Sequence, residues 1–412
     1  MRILLLSQWF EPEPFLKGLS FAHSLQSQGH EVEVLTGFPN YPLGKLYAGY
    51  TMRLFKRESL GGIRVNRVPL FPSYNHSAFL RILNYLSFCL SAALIGPFLI
   101  REPDIVYVYN LPTLMVGAAV IRALYGSKVV LDIQDLWPES VSHSGMISNS
   151  FSIKILEKVS YLAYSAADRI TVLSPGFKTE LVSRGISAGD ISVIYNWCSE
   201  TAAHPTEASK DSLSVFGFGG HFNIVYTGTI GKMQGLDAVI EAASIVGEKN
   251  NRIHFWLVGG GVEVDRLKDL ASRRNTTNVH FIPRVSSSEA SAIMRKADTL
   301  LVHLKRDPLL EITIPSKIQS YMLAGKPLLA GVGGDAAELV KSARAGVTCV
   351  PGNPESIAEK ALLIAQMDKK ALVGMGENGR QYYLRNLSLQ EGTRQYLDLF
   401  DEALGSTHKW NS

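Results

Sequence analysis

The chain has 412 residues, of which 46% are hydrophobic, and a formal net charge of +4 at pH 7. Its length predicts two or three domains with real hydrophobic cores, and its 35 glycines and 18 prolines are near average usage, which excludes a low-complexity chain. The net charge is too small to predict nucleic-acid binding. The three cysteines, Cys89, Cys198 and Cys349, are far apart and form no CxxC pair, so we expect neither a disulfide framework nor a zinc site, as is typical of a reducing cytosol.

Strand-like runs alternate with helix-like runs along the chain, which predicts an α/β architecture with parallel sheets. Residues 3–7 form only a short apolar run, so we expect a first strand there and no signal peptide. The turn behind it lacks the G-x-G-x-x-G sequence of dinucleotide-binding folds, and the chain has no Walker motif. The strand-like runs of the first half are RILLLSQ, EVEVLTG, IRVNRVP, DIVYVYN, KVVLDIQ, RITVLS and ISVIYN.

A basic segment and an uncharged segment lie together in the first half. The stretch from Arg53 to Arg101 has a net charge of +6, and residues 82–100, ILNYLSFCLSAALIGPFLI, carry no charge. Asn84 and the Gly96-Pro97 pair weaken a membrane-spanning helix, so we expect a buried or interfacial helix. A basic, apolar surface favours binding to an anionic bilayer; the alternatives are a core helix beside solvated arginines, or a membrane span.

A second strand–helix series follows a polar stretch, residues 199–214, that we interpret as a linker. Its runs are FNIVYTGTIG, LDAVIEAASIVGEK, IHFWLVGGG, NVHFIPRV, SEASAIMRKAD, TLLVHLK, PLLAG and GVTCV. Two consecutive doubly wound units predict domains over residues 1–200 and 215–387, with ligands bound at the carboxyl ends of their strands in the cleft between them. A tail helix over residues 388–405 follows the second unit and is free to pack back on the first.

Glycine-rich turns and a polar helix start indicate a phosphate site in the second half. One strand ends at Gly228 and another at Gly259, each within a glycine-rich turn. The stretch EITIPSKIQSYMLAGKPLLAG, residues 311–331, contains a helix with Ser316 as its candidate N-cap and Gly325 at its end. Unpaired N–H groups and partial positive charge at a helix start attract anions, so these three elements predict a phosphorylated ligand.

The chain resembles the family 4 glycosyltransferases of the GT-B fold over nearly its whole length. The stretches that carry the resemblance are GHEVEVLTGFPNYP, DIQDLWPES, AADRITVLSPGFKTELVSRG, ISVIYNW, YTGTIGKMQGLDAVIEAA, WLVGGG, PRVSSSEASAIMRKAD and IPSKIQSYMLAGKPLLA. The opening LLLSQWFEPEP, with GKLYAGY further on, is similar to bacterial O-antigen and capsule enzymes that transfer N-acetyl-L-fucosamine and related sugars. The resemblance implies two Rossmann-like domains facing a cleft, with the nucleotide sugar in the second and the acceptor in the first.

In this family the helix start binds the diphosphate of the nucleotide sugar, and acidic residues near it bind ribose and sugar. The resemblance therefore implies catalytic roles for Glu311, which accepts hydroxyl hydrogen bonds, and for Lys232, the nearest cation to the diphosphate. The donor-binding residues predicted in the same way are Gly228, Thr229, Gly259, Gly260, Arg284, Thr313, Pro315, Ser316, Lys317 and Ser320.

The chain departs from the family pattern in three features. Ser320 stands where a second glutamate is usual, and Thr229 and Gln234 stand where a basic pair is common. On the acceptor side Gln134-Asp135 replaces the frequent His-Asp, and glutamine cannot transfer a proton, so Asp135 is left as the catalytic candidate that orients an acceptor hydroxyl. The predicted acceptor-binding residues are Lys17, Gly18, Asn40, Tyr41, Gln134, Trp137 and Glu139.

We therefore interpret the chain as an enzyme that moves a sugar from a UDP-sugar to a lipid-linked saccharide at the inner face of the cytoplasmic membrane, for O-antigen or capsule synthesis. The resemblance implies retention of anomeric configuration, with the departing diphosphate accepting the proton. No metal cofactor is expected, because the ten histidines are scattered and no H-E-x-x-H motif occurs. The alternatives are a non-hydrolysing UDP-sugar 2-epimerase and a non-catalytic protein that binds sugar nucleotides.

Overall fold

Two sheets of mainly parallel strands organise the chain. The computed structural model describes residues 1–73, 78–139, 149–200 and 218–405. Unit 1 comprises Met1–Tyr195 and Gly392–Ser412, and unit 2 comprises Asn196–Glu391. Most of the stretch interpreted as a linker, residues 201–214, lies outside the described residues.

The sheet of unit 1 has eight strands in the order β3-β4-β2-β1-β5-β6-β7-β8. The strands are β1 Arg2–Leu6, β2 Glu31–Gly37, β3 Lys56–Leu60, β4 Ile63–Val68, β5 Ile105–Tyr109, β6 Lys128–Ile133, β7 Arg169–Val172 and β8 Ile191–Val193. All neighbours are parallel except β3 and β4, which form an antiparallel pair. Chain order reverses between β1 and β5, so the loops behind these two strands open a crevice.

The described residues of the first part of unit 1 form five helices: α1 Leu19–Ser27, α2 Ala78–Leu94, α3 Met115–Tyr125, α4 Ser150–Ser165 and α5 Pro175–Ser183. The uncharged run predicted over residues 82–100 is thus helical only as far as Leu94, and a 3₁₀ turn follows at Gly96–Phe98. Proline has no N–H to continue an α-helix, which explains this end. Across the described ranges, no helix combines the length and apolarity needed to cross a membrane.

Unit 2 contains a six-stranded parallel sheet in the order β11-β10-β9-β12-β13-β14. The strands are β9 Phe222–Thr227, β10 Ile253–Val258, β11 Val279–Ile282, β12 Thr299–His303, β13 Leu328–Gly331 and β14 Gly346–Thr348. The helices are α6 Leu236–Lys249, α7 Val264–Arg273, α8 Ser287–Lys296, α9 Pro308–Glu311, α10 Lys317–Leu323, α11 Gly334–Ser342, α12 Pro354–Ala365 and α13 Lys369–Asn386. The last helix, α14 Leu389–Leu404, belongs to unit 1 from Gly392 onward.

The core of unit 2 follows from the apolar runs of its strands. Parallel strands are covered by helices on both faces, so β9 and β10 read as nearly continuous apolar sequence. Val239 and Ala243 of α6 and Ile357 and Ala361 of α12 are buried in the same cluster. Each fully buried aliphatic side chain contributes roughly 1.5–3 kcal/mol, which holds the strand ends in place for the loops that follow them.

Candidate functional site

The carboxyl ends of β9 and β12 meet where the strand order of unit 2 reverses, and open α/β sheets bind ligands at such a point. β9 runs into Gly228, whose N–H donates to the Val258 carbonyl at 2.9 Å. Gly259 closes on this turn, because a Cβ there would lie 1.9 Å from the Gly228 oxygen. The two glycine-rich turns therefore touch, and Gly259 is required for backbone packing.

Lys317, the first residue of α10, lies against the same turn. A Cβ on Gly228 would be 2.8 Å from Lys317 Cε and 3.1 Å from its Nζ. The ammonium is 5.1 Å from the centroid of the Tyr226 ring, and burial lowers the pKa of Lys317 to about 8. One turn further along, the Tyr321 hydroxyl accepts a hydrogen bond from the Thr227 N–H at 2.9 Å. This bond fixes α10 to the end of β9, so all three phosphate-binding elements predicted from the sequence lie together.

His303 fixes the far end of the loop behind β9, and the sequence analysis missed it. Its Nδ1 donates to the Gln234 carbonyl at 2.6 Å, and its Nε2 accepts from the Gly352 N–H at 3.0 Å. Only a neutral ring can do both, and burial lowers the pKa of His303, which keeps the ring neutral. The available signal was a polar residue ending the apolar strand TLLVH.

Glu311 lies at the same sheet edge, beside the turn at Gly333 and Gly334, which the sequence analysis also missed. It ends α9, is exposed, and its Oε1 would be 3.5 Å from a Cβ on Gly333. Gly334 has a φ of +48°, and a Cβ there would lie 1.9 Å from the Glu311 carbonyl oxygen. The predicted donor residue Thr313 supports this corner, because its hydroxyl donates to the Leu309 carbonyl at 2.7 Å. The turn behind β13 thus fixes the backbone that carries Glu311.

The start of α10 differs from the expected capped helix. Ser316 occupies the N-cap position of a seven-residue helix, as predicted, but its side chain accepts no capping hydrogen bond from the described residues. Its carbonyl instead accepts from the Ser320 hydroxyl at 3.3 Å. The Pro315 carbonyl accepts from the Ile318 N–H at 3.0 Å. The backbone here satisfies part of its own hydrogen bonding, and Lys317 adds a cationic side chain at this helix start.

The remaining predicted donor residues lie at the surface around these turns. Thr229, Lys232 and Arg284 are exposed. A Cβ on Gly260 would be 3.9 Å from Arg284 Cβ, so Arg284 lies next to the second glycine turn. Among the described residues, no group of three His, Cys, Asp or Glu side chains is arranged to hold a metal ion.

Ser320, which replaces the usual glutamate, lines a cavity of about 590 Å³ within unit 2. Two more hydroxyl side chains, Ser287 and Ser291 of α8, line the same cavity, together with Arg295 and Arg380. The cavity therefore offers hydroxyl and guanidinium groups, and the one acidic residue of its described lining, Glu200, already accepts hydrogen bonds from the Tyr383 hydroxyl and the Leu389 N–H.

In unit 1, Asp135 is positioned by Asn110, a residue that the sequence analysis missed. Asn110 follows β5 with a φ of +60°, and its Nδ2 donates to Asp135 Oδ2 at 2.8 Å. Its Oδ1 accepts from the backbone N–H groups of Gln134 at 3.1 Å and Asp135 at 2.9 Å. Asparagine tolerates left-handed backbone, so its place at a strand end was the available signal. The loop behind β6 is thereby held at the crevice of the sheet, with Asp135 exposed.

Lys17 and Gln134 are tied to the buried carboxylate of Asp132. The Lys17 ammonium lies 2.8 Å from Asp132 Oδ2 and donates to the Tyr396 hydroxyl at 2.6 Å, with its side chain fully buried. Gln134 Nε2 also donates to Asp132, at 2.9 Å. Thr171 donates a further hydrogen bond to Asp132, at 2.7 Å. This network belongs to the interior of unit 1, so we leave Lys17 out of the acceptor site proposed below.

The side-chain carboxylate of Glu11 packs directly against Gly18. A Cβ on Gly18 would be 2.5 Å from Glu11 Oε1, and this oxygen accepts from the Leu19 N–H at the start of α1 at 2.8 Å. Burial raises the pKa of Glu11, and its backbone hydrogen bonds partly offset that effect. The start of α1, whose free N–H groups would attract an anion, is therefore already occupied by a carboxylate of the same chain.

Asn40 and Tyr41 are held by Glu13. One oxygen of the buried Glu13 carboxylate accepts from the N–H groups of both residues at 2.7 Å, and the other accepts from Phe10 at 3.2 Å. Asn40 is itself buried and accepts from Asn84 at 3.2 Å. Asn40 therefore acts in the scaffold, while Tyr41 stays partly exposed.

Four aromatic residues form a row at the crevice of unit 1. Trp9 lies 6.0 Å from Tyr41 and 6.3 Å from Tyr85, and Tyr85 lies 6.4 Å from Trp137, between ring centroids. Trp9 and Tyr41 are partly exposed, whereas Tyr85 and Trp137 are buried. Trp9 and Tyr41 are therefore the accessible members of the row. Trp9 and Tyr85 were not identified from sequence.

Glu139 is paired with Arg184. The guanidinium lies 2.8 Å from Glu139 Oε1 and 2.9 Å from Glu180 Oε1, and it also donates to the Trp137 carbonyl at 2.8 Å. These bonds connect the loop behind β6 to α5. Glu139 therefore supports the loop, and an acceptor would have to compete with Arg184 for its carboxylate.

Comparisons with known proteins match both units. Residues 19–197 match the family model described as glycosyl transferase 4-like domain, and residues 216–382 match the model described as glycosyl transferases group 1. The Escherichia coli K12 protein WcaI, named as a colanic acid biosynthesis glycosyl transferase, is 27% identical over 97% of this chain and 99% of its own. WbjE of Pseudomonas aeruginosa, named as a glycosyltransferase, is 24% identical over 71% of this chain and 74% of its own.

Solved structures show the same fold. Anabaena Alr3699/HepE, crystallised with UDP-glucose, has a TM-score of 0.70 at 16% identity over 98% of this chain and 100% of its own. An Escherichia coli trehalose-6-phosphate structure with bound UDP-2-fluoro glucose has a TM-score of 0.73 at 14% identity over 98% of this chain and 99% of its own. With both units matched by glycosyltransferase models, the chain belongs to the family 4 glycosyltransferases of the GT-B fold.

Proposed function

We propose that this enzyme transfers a sugar from a UDP-sugar to a lipid-linked saccharide during synthesis of a bacterial surface polysaccharide. The observation that carries the donor side is the contact of Gly228 with both Gly259 and Lys317, which joins two glycine turns and a cation at the switch point of unit 2. Bound UDP and UDP-glucose in the Anabaena structures support UDP as the nucleotide, and the name of WcaI supports surface polysaccharide as the product. N-acetyl-L-fucosamine, suggested by the sequence resemblance, is the first sugar to test.

On the donor side we assign the sugar hydroxyls to Glu311. Its exposed carboxylate lies on a backbone fixed by Gly334, at the same sheet edge as the phosphate turns. We assign the ribose to the hydroxyl-lined cavity at Ser320, since the glutamate usual at this position is absent. Hydroxyl groups can exchange hydrogen bonds with ribose as donors and acceptors, although each neutral bond is weaker than one to a carboxylate.

On the acceptor side we assign the reacting hydroxyl to Asp135 and the sugar ring to Trp9 and Tyr41. Asp135 is exposed and aligned by Asn110, so it can accept the hydrogen bond of an acceptor hydroxyl. Aromatic faces supply large apolar contact area with little conformational freedom to lose, which suits the apolar face of a saccharide. Gln134 is bonded to the buried Asp132, which supports its exclusion as a proton carrier.

We further propose that α2 binds unit 1 to the cytoplasmic face of the membrane. One face of this helix exposes an unbroken apolar stripe: Phe79, Ile82, Leu83, Leu86, Leu90 and Leu94. Phe98, which is 83% exposed, extends the stripe, and Arg57 joins it by donating to the Leu99 carbonyl at 3.2 Å. An exposed apolar stripe beside basic groups is the pattern of a helix that lies in a bilayer interface.

The basic contribution to that surface is smaller than the sequence suggests. Arg67 is fully buried on Glu58, and Lys56 also pairs with Glu58, at 2.7 Å. Arg53 and Arg57 remain exposed. We therefore expect apolar burial to contribute more to membrane binding than charge.

A screen of nucleotide sugars against membrane extract tests the proposed reaction. Purified full-length chain is incubated with UDP-, GDP- and dTDP-sugars, with and without extract, and labelled sugar is measured in the lipid fraction. We expect transfer from a UDP-sugar that depends on the extract, with the anomeric configuration of the donor retained in the product by NMR. Sugar isomerisation without extract would identify an epimerase, and binding without turnover would identify a binding protein; either result refutes the proposal.

A variant of Glu311 tests the assigned donor site. Glu311→Gln keeps the shape of the side chain but removes the charge, and we expect turnover to fall on the order of a hundredfold, as when a group that stabilises developing charge is lost. Glu338→Gln is the matched control, because Glu338 is an exposed carboxylate of the same unit that pairs with Lys341. Equal turnover in the two variants would remove Glu311 from the site.

A further inference from the structure

The carboxylate of Asp132 is the centre of a hydrogen-bond network inside unit 1. Asp132 lies at the carboxyl end of β6 and is completely buried. Its Oδ1 accepts hydrogen bonds from the hydroxyls of Thr171 at 2.7 Å and Tyr396 at 3.0 Å. Its Oδ2 accepts from the Lys17 ammonium at 2.8 Å and from the Tyr107 hydroxyl at 2.6 Å. These donors come from four different segments of the chain, and together they fix the rotation of the carboxylate.

The Tyr396 hydroxyl closes this network from the last helix of the chain. It accepts from the Lys17 ammonium at 2.6 Å while it donates to Asp132, so it links the two members of the ion pair. Burial and the nearby carboxylate raise the pKa of Tyr396, which keeps its hydroxyl protonated and able to donate. The Tyr396 ring packs against Phe21 and Tyr107. The hydroxyl can therefore be removed while this ring packing is kept.

Gln134 connects Asp132 to the surface of the crevice. Its Nε2 donates to both carboxylate oxygens, at 2.9 Å and 3.0 Å, so the Gln134 side chain follows any rotation of the carboxylate. Gln134 is partly exposed, and Asp135 beside it is exposed. The Asn110 side chain accepts from the backbone N–H groups of both residues, which holds them as one segment. A continuous path of contacts thus leads from α14 to the carboxylate that we assign to the acceptor hydroxyl.

A contribution to stability explains this network poorly. Taking two charges out of water costs free energy that their attraction often fails to recover, so a buried ion pair is weak evidence of stabilisation. An apolar pair of similar volume in place of Lys17 and Asp132 would fill the same space. Apolar side chains could not set the direction of the Gln134 amide, because they offer no hydrogen-bond acceptor. A fully bonded polar network makes its members rigid, which suits the support of a binding loop.

We propose that Tyr396 is a positioning residue for the acceptor, an inference that rests on the proposed function. Its hydroxyl holds the Asp132 carboxylate in one rotation, and Gln134 transmits that rotation to the segment that ends at Asp135. Tyr396 is fully buried, so it acts on the acceptor through these residues and touches no substrate itself. The path lies within unit 1, and the glycine turns of unit 2 take no part in it.

Tyr396→Phe tests this role in the full-length chain. We expect the KM for acceptor, measured against the lipid concentration of a membrane extract, to rise about tenfold, since a hydrogen bond to a charged group is lost. The affinity for UDP, measured by calorimetry, should stay unchanged. Ser127→Ala is the matched control, because Ser127 is a buried hydroxyl at the opposite end of β6 that donates to the Pro103 carbonyl at 2.6 Å. Equal changes in the two variants, or a loss of UDP affinity, would overturn the proposal.

Thr171→Val gives an independent variant should Tyr396→Phe fail to fold by circular dichroism. It removes a second hydroxyl from the same carboxylate and should raise the acceptor KM in the same way, again with UDP affinity unchanged. An unchanged acceptor KM in a folded Thr171→Val chain would count against the path through Asp132.

A double-mutant cycle tests whether Tyr396 acts through Gln134. Gln134→Ala breaks the path between Asp132 and the crevice, so adding Tyr396→Phe to it should raise the acceptor KM no further. If the two losses multiply in the double variant, Tyr396 acts independently of Gln134 and the proposal is wrong.

Hydrogen exchange separates a failure of this path from a failure of the proposed function. Tyr396→Phe should speed exchange several-fold in residues 133–136 and leave β9 and β10 unchanged. Unchanged exchange in residues 133–136 would refute the path. Faster exchange there, together with no transfer by the wild type from any nucleotide sugar, would support the path and refute the proposed function instead.

Discussion

Two lysines show how differently this protein uses one residue type. Lys17 is fully buried, ion-paired with Asp132 and bonded to Tyr396, whereas Lys317 lies against a glycine turn with an open charge. Both lysines follow polar or proline-rich sequence, and the local sequence does not show which of them is paired with a carboxylate. At the scale of single residues, the partner across the fold decides whether a charge is structural or is available to a ligand.

The buried pair predicts a large effect on stability. In Lys17→Met the Asp132 carboxylate loses its cation while remaining inside unit 1, and we expect the free energy of unfolding to fall by about 3–5 kcal/mol. Lys45→Met is the control, since Lys45 is an exposed lysine of the same unit and its loss should change stability by about 0.5 kcal/mol or less. Urea unfolding followed by circular dichroism measures both. A decrease below about 1 kcal/mol for Lys17→Met would mean that hydroxyl donors alone satisfy Asp132.

At the scale of elements, the candidate residues of each unit lie near the ends of its parallel strands. His303 at the end of β12 and Asn110 behind β5 hold the neighbouring loops by side-chain bonds to backbone groups. The helices behave differently, because α2 turns one apolar face inward and a second one outward. Only the inward face is explained by the core of unit 1.

The outward face of α2 predicts binding to lipid vesicles. Leu86→Glu together with Leu90→Glu places two charges in the centre of the apolar stripe, and charged groups are excluded from the acyl boundary. We expect the variant to sediment with anionic vesicles several-fold less than the wild type. Val159→Glu with Leu162→Glu on α4 is the control, because these side chains are also exposed and apolar but lie on another helix. Equal losses in both variants, or no sedimentation of the wild type, would contradict the role of α2.

Two histidines at the start of neighbouring strands, His254 in β10 and His280 in β11, predict that the stability of unit 2 depends on pH. His254 Nδ1 and His280 Nε2 are 2.8 Å apart, and the ring centroids of His221 and His254 are 3.9 Å apart. Burial first, and then the neighbouring imidazoles, lower the pKa of both His254 and His280 from the usual 6.5. The unfolded chain therefore takes up protons before the folded one as the pH falls. The stability of unit 2 is expected to be complete above about pH 7 and to decline as the pH falls below 6.5.

Unfolding in urea at pH 7.5 and pH 5.5 measures this effect. His254→Gln with His280→Gln should unfold with a smaller difference between the two pH values, and His303, whose pKa burial also lowers, accounts for part of what remains. His23→Gln in unit 1 is the control and should keep the full difference for unit 2. An unchanged difference in the double variant would show that these two rings do not cause the loss.

At the scale of the whole molecule, the C-terminal helix contributes to the core of the N-terminal unit. α14 starts in unit 2, and from Gly392 onward it belongs to unit 1, where Tyr396 and Phe400 are fully buried. Tyr396 lies 5.2 Å from Phe21 and 5.4 Å from Tyr107, between ring centroids. The hydrophobic core of unit 1 is therefore complete only when α14 is present.

A shortened chain tests this dependence. A chain that ends at Glu391 lacks several buried side chains, and losing each large one typically costs about 3–5 kcal/mol, which together exceeds the stability of an ordinary domain. We expect hydrogen exchange to show lost protection in β1, β5 and β6 while β9, β10 and β12 stay protected. A chain that ends at Gly405 keeps α14 and should behave as the full-length protein. Normal protection of unit 1 without α14 would contradict the prediction.

The sequence alone determined the α/β architecture, two sheets of mainly parallel strands and the glycine turns behind β9 and β10. These features depend on local rules: apolar runs of strand length, helical spacing between them, and glycine where the backbone bends sharply. The resemblance to family 4 glycosyltransferases also rested on contiguous stretches, so it required no three-dimensional information.

Only the tertiary structure decided which side chains are available for chemistry. The sequence predicts Lys17 as an acceptor ligand, whereas the structure pairs it with Asp132, 115 residues away. The roles of Asn110 and His303 could not be predicted from sequence, because their partners are backbone groups of distant loops. Lys232 is close in sequence to the glycines, but it is Lys317 that α10 brings against Gly228. Burial and pairing are set by contacts between remote segments, and no local pattern of residues encodes them.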